Sequence, residues 1–172
     1  ERVLVTLDVT FEVAKEAARK KCQLIVSHHP LIFHGLKSVT PGDPTGAVVL
    51  ELARRNIALI SAHTNWDQAA GGVSDVLLER LGIASAGFLE PAGETSEGTP
   101  YGMGAVGELE APMPPKEFAR AVRTALHARG ARVVLGDRPV KKVAVCGGAG
   151  GDLLARAAAW GADAYVPADV KY

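Results

Sequence analysis

No stretch of this chain comes near the roughly 20 consecutive apolar residues that a membrane-crossing helix needs, so no membrane span is expected. Charge of one sign is not in excess either, with 19 basic against 19 acidic residues interspersed along the chain. Without a basic tail or stripe, nucleic acid is not an expected partner. Cysteine is scarce: Cys22 and Cys146 lie beside apolar runs and form no Cys-x-x-Cys pair. They read as reduced, buried thiols of a cytoplasmic protein and not as a disulfide. The opening residues Glu1-Arg2-Val3-Leu4-Val5 read as a strand and not as a signal peptide. No Gly-x-Ser-x-Gly elbow occurs and neither cysteine has a histidine close by in sequence, so covalent serine or cysteine catalysis is unsupported.

What is present is an alternation of short apolar runs with segments of helical period. Strands are predicted at residues 3–7, 23–27, 57–61, 101–109, 131–135, 142–146 and 163–166. Helices are predicted at residues 11–21 with Thr10 as N-cap, at 45–55, at 74–81 with Ser74 as N-cap and Gly82 as stop, at 114–129 and at 152–160. Short all-apolar strands between helices imply an α/β fold with a mainly parallel sheet covered on both faces. A shift to Gly, Glu, Ser, Thr and Pro over residues 90–100 suggests a boundary between two lobes, residues 1–92 and 101–172.

The two ends of the chain repeat one another. Val3, Val5, Ala17, Ala18 and Val26 are matched by Val143, Val145, Ala157, Ala158 and Val166, each 140 positions later. Each copy reads as strand, turn, helix, strand, although any two βαβ units share that outline. If the repeat is real, Asp169 stands where His29 stands, just past the carboxyl end of a strand, where open α/β sheets bind ligands.

The chemistry concentrates at two strand ends. Ser27-His28-His29-Pro30 follows Leu24-Ile25-Val26, and His63-Thr64-Asn65-Trp66-Asp67 follows Ile57-Ala58-Leu59-Ile60. Adjacent residues of a regular strand point to opposite sides, but a strand end turned by Pro30 lets two close ions take one imidazole each. Asp67 can bridge such ions, which in two-metal sites lie roughly 3.5–4 Å apart. Imidazole with carboxylate suits zinc, iron, manganese or nickel without choosing among them. A lone histidine would favour a hydrogen-bonded loop residue; the pair with Asp67 favours metal.

His63 reads as ligand, as the outer partner of a ligand, as proton shuttle, or as a strand-end histidine bonded to backbone. His34 is a weaker candidate, and His127 suits a helix C-terminus and has no expected chemical role. Gly147-Gly148-Ala149-Gly150-Gly151 either presents backbone N–H groups to phosphate or makes a tight turn. Gly71-Gly72 next to Asp67 would let a substrate approach, and Trp66 either stacks on a base or packs in a core.

These residues resemble the NIF-three-like family, whose members also carry the name GTP cyclohydrolase I type 2 homologues. The resemblance covers nearly the whole chain. It rests on Leu7-Asp8-Val9-Thr10, on Ser27-His28-His29-Pro30-Leu31-Ile32-Phe33 with Gly35-Leu36-Lys37, and on His63-Thr64-Asn65 with Asp67. It continues in Gly71-Gly72-Val73, residues 104–108, residues 143–151 and Asp169-Val170-Lys171-Tyr172. The resemblance implies two related α/β lobes with mixed sheets flanked by helices, around a site for two divalent metal ions per subunit. It also implies a homo-oligomer, a hexameric ring of dimers.

By the resemblance the metal ligands fall on His28, His29 and Asp67, with a later His and Glu expected beyond Tyr172. The family's lead-in before the first strand and the large middle domain of some members are missing. Pro167-Ala168-Asp169 stands where the family has Thr-Gly-Asp. The implied activity is a dinuclear-metal-dependent hydrolase with a small-molecule, nucleotide-type substrate, opening the purine ring of GTP with His63 moving protons. The alternative is a non-enzymatic metal-binding ring acting as chaperone, store or interaction scaffold.

Overall fold

A computed structural model describes residues 1–170; Lys171 and Tyr172, the end of the last family-like motif, lie outside the described residues. The chain forms two compact units, Glu1–Trp66 and Asp67–Tyr172. Residues 90–100, expected to mark a boundary, fall inside the second unit and begin a hairpin. Both units are α/β with flanking helices; the first has a parallel sheet and the second a mixed one. Among the described residues no helix is long and apolar enough to cross a membrane.

The first unit contains β1 (Val3–Thr6), α1 (Phe11–Arg19), β2 (Leu24–Ser27), α2 (Pro44–Arg55) and β3 (Ala58–Ser61). Thr10 caps α1 as expected, its hydroxyl accepting from the Val13 N–H at 3.2 Å. Asp43 does the same for α2 through Gly46 N–H at 2.7 Å, with Pro44 at the first helical position. The strands pair in parallel, in the order β1-β2-β3. Two consecutive right-handed crossovers in that order place both helices on one face. That face holds the core, Ala14, Ala17, Ile25, Val48 and Leu52. The expected cover on both faces is therefore not what forms here: Val5 remains 78% and Ile60 56% exposed.

A short turn, α3 (Thr64–Asp67), follows β3. The second unit then contains α4 (Val73–Arg80), β4 (Ser85–Gly87), β5 (Glu90–Glu94), β6 (Pro100–Met103), β7 (Ala105–Met113) and α5 (Pro115–Ala125). It ends in β8 (Val140–Ala149), a 3-10 turn at Gly151–Leu153, α6 (Leu154–Trp160) and β9 (Ala164–Asp169). Its main sheet runs β4-β7-β8-β9, with β8 antiparallel to β7 and parallel to β9. Alternate residues of β8 feed two layers. Val143 and Val145 join Leu78 and Phe118, while Ala144 and Cys146 join Leu153 and Ala157.

Three expectations fail for local reasons. The single strand at 101–109 is broken at Gly104, whose φ of +63° turns the chain so that β6 pairs with β5 and β7 with β8. Ser74 is not the N-cap of α4; Gly72 is, and Ser74 is the second residue of the helix, where its buried hydroxyl accepts from Gly147 N–H at 3.3 Å. Residues 131–135 form no strand, and Val134 is fully exposed, because no sheet edge receives them.

The internal repeat extends to the hydrogen bonds. β1 pairs with β2 as Val3↔Leu24 and Val5↔Val26, and β8 with β9 as Val143↔Ala164 and Val145↔Val166. Cys22 N–H bonds Ala17 O, and Ala162 N–H bonds Ala157 O. Each helix is followed by a left-handed residue, Lys21 at φ +55° and Gly161 at φ +83°. Even the side chain after that turn has one job: Gln23 Oε1 accepts from Arg2 N–H, and Asp163 Oδ2 from Lys142 N–H.

Asp163 accepts a second backbone donor, Lys141 N–H at 3.0 Å, and these two bonds hold its carboxyl below the usual range. A folded-state pKa below the unfolded one stabilises at neutral pH, and that contribution disappears as pH falls through the lowered value. Asp163→Asn, which can keep at most part of this geometry, is predicted to lower the melting temperature at neutral pH. It should also flatten the acid limb of a melting-temperature profile; an unchanged acid limb would refute the assignment.

Candidate metal centre

Parallel pairing brings Thr6, Ser27 and Ser61 into one row across the three strands. The ladder continues a little past it, with His28 N–H bonding Thr6 O at 3.2 Å and His29 N–H bonding Leu7 O at 2.9 Å. Ser27, buried, ties the row to the loop through a 2.9 Å contact with the Ser61 hydroxyl and a 2.9 Å bond to His29 O. The residues just beyond the row therefore emerge together at the carboxyl end of the sheet, where ligands bind in open α/β folds.

His28, His29 and His63 meet there. Their donor nitrogens lie within 4.8 Å of one another. The ring centroids of His28 and His29 are 5.1 Å apart, and the His63 centroid is 5.1 Å from His28 and 5.8 Å from His29. The strand-end turn at Pro30 thus lets consecutive side chains serve one point in space.

Each of the first two rings is oriented by a partner. Nδ1 of His28 stands 2.9 Å from Ala62 O, and Nδ1 of His29 stands 2.7 Å from Oδ1 of Asp8. A carbonyl and a carboxylate both accept, so each imidazole donates from Nδ1, which fixes the orientation of its ring. Histidines that bind metals are held in this way. Asp8 belongs to a quoted motif, but its role has no sequence signal. Its backbone carbonyl is itself fixed by Thr6 Oγ1 at 2.9 Å.

The other candidates separate. His34 is exposed and packs edge-on against Phe33, 4.9 Å between centroids, outside the triad. His127 follows α5 with φ +50° and takes no part. Trp66 is half exposed, so it is not a core residue. Asp67, half-buried, is the last residue of α3, four positions after His63 in sequence.

In the second unit the glycine-rich segment makes a tight turn, Gly148 taking φ +67°. A Cβ on Gly150 would come within 2.9 Å of Cys146 Cβ and 3.1 Å of Pro167 Cβ, so the close approach of β8 and β9 requires glycine there. Tyr165 O–H donates to Gly150 O at 2.6 Å. Burial pushes the Tyr165 hydroxyl well up, and the adjoining Cys146 adds to that. The Cys146 thiol is also raised, chiefly by burial; the Tyr165 hydrogen bond opposes this and the Asp67 charge reinforces it. Both cysteines are free and buried, as expected.

Comparison with known proteins gives a consistent picture. The family model described as Duf34/NIF3 (NGG1p interacting factor 3) matches residues 1–172. A Clostridium perfringens protein named GTP cyclohydrolase 1 type 2 homolog is 35% identical over 99% of this chain and 64% of its own length. A Streptomyces coelicolor protein of the same name is 39% identical over 99% of this chain and 61% of its own. This chain therefore spans less than two thirds of these relatives. A solved Bacillus cereus protein related to NIF3 aligns with a TM-score of 0.88 at 27% identity, covering 99% of this chain and 73% of that one. A Staphylococcus aureus hypothetical protein gives 0.87 at 28% identity, covering 99% and 67%.

The His29–Asp8 contact yields a direct expectation. Asp8→Ala frees the His29 ring, and the affinity of the cluster for added zinc or manganese, read by titration calorimetry, should fall about 10–100-fold. An affinity equal to that of the parent protein would remove Asp8 from the site.

Proposed function

The chain belongs to the Duf34/NIF3 family, and from that premise we propose that it is a metal-dependent hydrolase. The observation that carries this reading is the convergence of three imidazoles, His28, His29 and His63. Two of them are held in place by hydrogen-bond partners at Nδ1. A donor set of imidazole nitrogens fits zinc, iron, manganese or nickel. In this reading two divalent ions per subunit are held by His28, His29 and Asp67, the carboxylate that closes α3.

Bound there, such ions supply Lewis acidity and a water acidic enough to ionise near neutral pH. The chain's own residues do the rest. Ala62 O and the Asp8 carboxylate hold the ligand rings in one tautomer and one orientation. His63 presents a further imidazole at the same point and carries the proton to or from the reacting group.

The substrate is a small molecule with a bond open to attack by water. The name shared by the relatives favours a purine nucleotide such as GTP, with opening of its ring. The fold places the cluster at the end of the sheet where α/β proteins receive such ligands. Assembly as a homohexameric ring and residence in the cytoplasm belong to the same reading. The same cluster also suits a non-enzymatic ring that stores metal or acts as chaperone or scaffold. The close approach of His63 to the other two rings favours that alternative to the extent that His63 is itself a ligand.

Two substitutions separate these readings. His28→Ala should abolish both metal uptake and metal-dependent loss of the purine absorbance when the protein is incubated with GTP. His63→Gln should keep the metal and slow that loss about 10²–10⁴-fold. If the metal-loaded parent protein leaves the purine chromophore of GTP intact, the cyclohydrolase form is wrong. Loss of metal from His63→Gln would make His63 a ligand and favour storage.

A further inference from the structure

We infer that Phe33 is a stacking platform that selects substrates carrying a planar aromatic ring at the histidine cluster. This rests on the hydrolase reading and deepens it by naming what recognises the substrate.

Single exposed apolar side chains are common on protein surfaces and mean little alone. Phe33 differs in where it stands and how it is held. Its ring is 71% exposed although the chain has only four phenylalanines, one of which, Phe118, is buried to 6%. The ring is packed edge-on against two imidazoles. Its centroid lies 6.4 Å from that of His63 at an interplanar angle of 83°, and 4.9 Å from that of His34 at 86°. These perpendicular contacts orient the ring beside the cluster while most of its surface stays open to solvent.

The neighbouring Ile32, 46% exposed, extends the apolar surface. Small-molecule sites combine such apolar walls with a few convergent polar groups. Here the convergent groups are the three imidazoles and the wall is Phe33. A ring laid against an aromatic face gains by stacking whatever its hydrogen-bonding edge, because every base has a π-face. A sugar phosphate lacking a base gains nothing from Phe33. The platform therefore sets a preference for heteroaromatic substrates over aliphatic phosphoesters. His34, packed edge-on against the ring, is its brace.

The test compares guanosine 5′-monophosphate with ribose 5-phosphate, by calorimetric titration of the protein with and without added manganese. In Phe33→Leu, affinity for the nucleotide should fall about tenfold, while affinity for the sugar phosphate stays within about twofold and metal content is unchanged. Phe33→Trp, which keeps an aromatic face, should retain nucleotide affinity. The inference is overturned if Phe33→Leu binds the nucleotide as well as the parent, if both ligands weaken together, or if the parent does not prefer the nucleotide. Failure of the parent to take up manganese counts against the hydrolase reading, and the titrations without metal then decide the role of Phe33 separately.

Discussion

The row Thr6, Ser27, Ser61 is the constraint from which the histidine cluster follows. Parallel strands held in step deliver the residues that follow them to one place, and the distances are a matter of counting. Asp8, His29 and His63 each stand two residues past the row, and His28 stands one. A one-residue slip of β2 would reverse every side chain on that strand, turning Ile25 out of the core. Since Ile25 is wholly buried against Ala14, Ala17 and Leu52, the hydrophobic core fixes the register. The register then fixes the imidazoles. Packing and chemistry are in this sense one choice, made by Ile25 and its neighbours.

The second unit shows the same backbone device put to another use. Its β8-α6-β9 segment matches β1-α1-β2 in register, in the turn after the helix and in the hydrogen bonds around it. The positions that surround the histidine cluster in the first unit are changed. Thr6 corresponds to Cys146, Asp8 to Gly148 and His29 to Asp169. Glycines close the strand end tightly, Gly150 N–H bonding Asp169 O at 3.2 Å. The ladder between β8 and β9 shifts between Cys146 and Ala149, so Pro167-Ala168 sits beside an irregularity and not in a regular strand. A buried thiol with a raised pKa, Cys146, stands where the first unit has the Thr6 hydroxyl, and a half-buried phenol, Tyr165, stands where it has Ile25.

Much of this was legible in the residues. Apolar runs ending in histidine marked the strands and the end of the sheet, the caps Thr10 and Gly82 marked helix limits, and the 140-residue offset marked the repeat. What was not legible depends on partners distant in sequence. Asp8 becomes informative only when β1 lies against β2 and brings its carboxylate to His29, 21 residues away. Ser74 looks like a cap until Gly147 claims its hydroxyl from 73 residues off. The run at 131–135 has strand composition, yet a strand exists only where an edge accepts it. Handedness left the second face of the first sheet open, and no side-chain pattern announces that.

The segment between His34 and Asp43 has consequences for design. Ser27 pins its start through His29 O, and Asp43 pins its end by capping α2. A Cβ on Gly35 or Gly42 would meet nothing within 4 Å. Side chains can thus be added at those two positions while the imidazoles stay in place. These are natural points for grafting, where a recognition element could be added beside an unaltered histidine cluster.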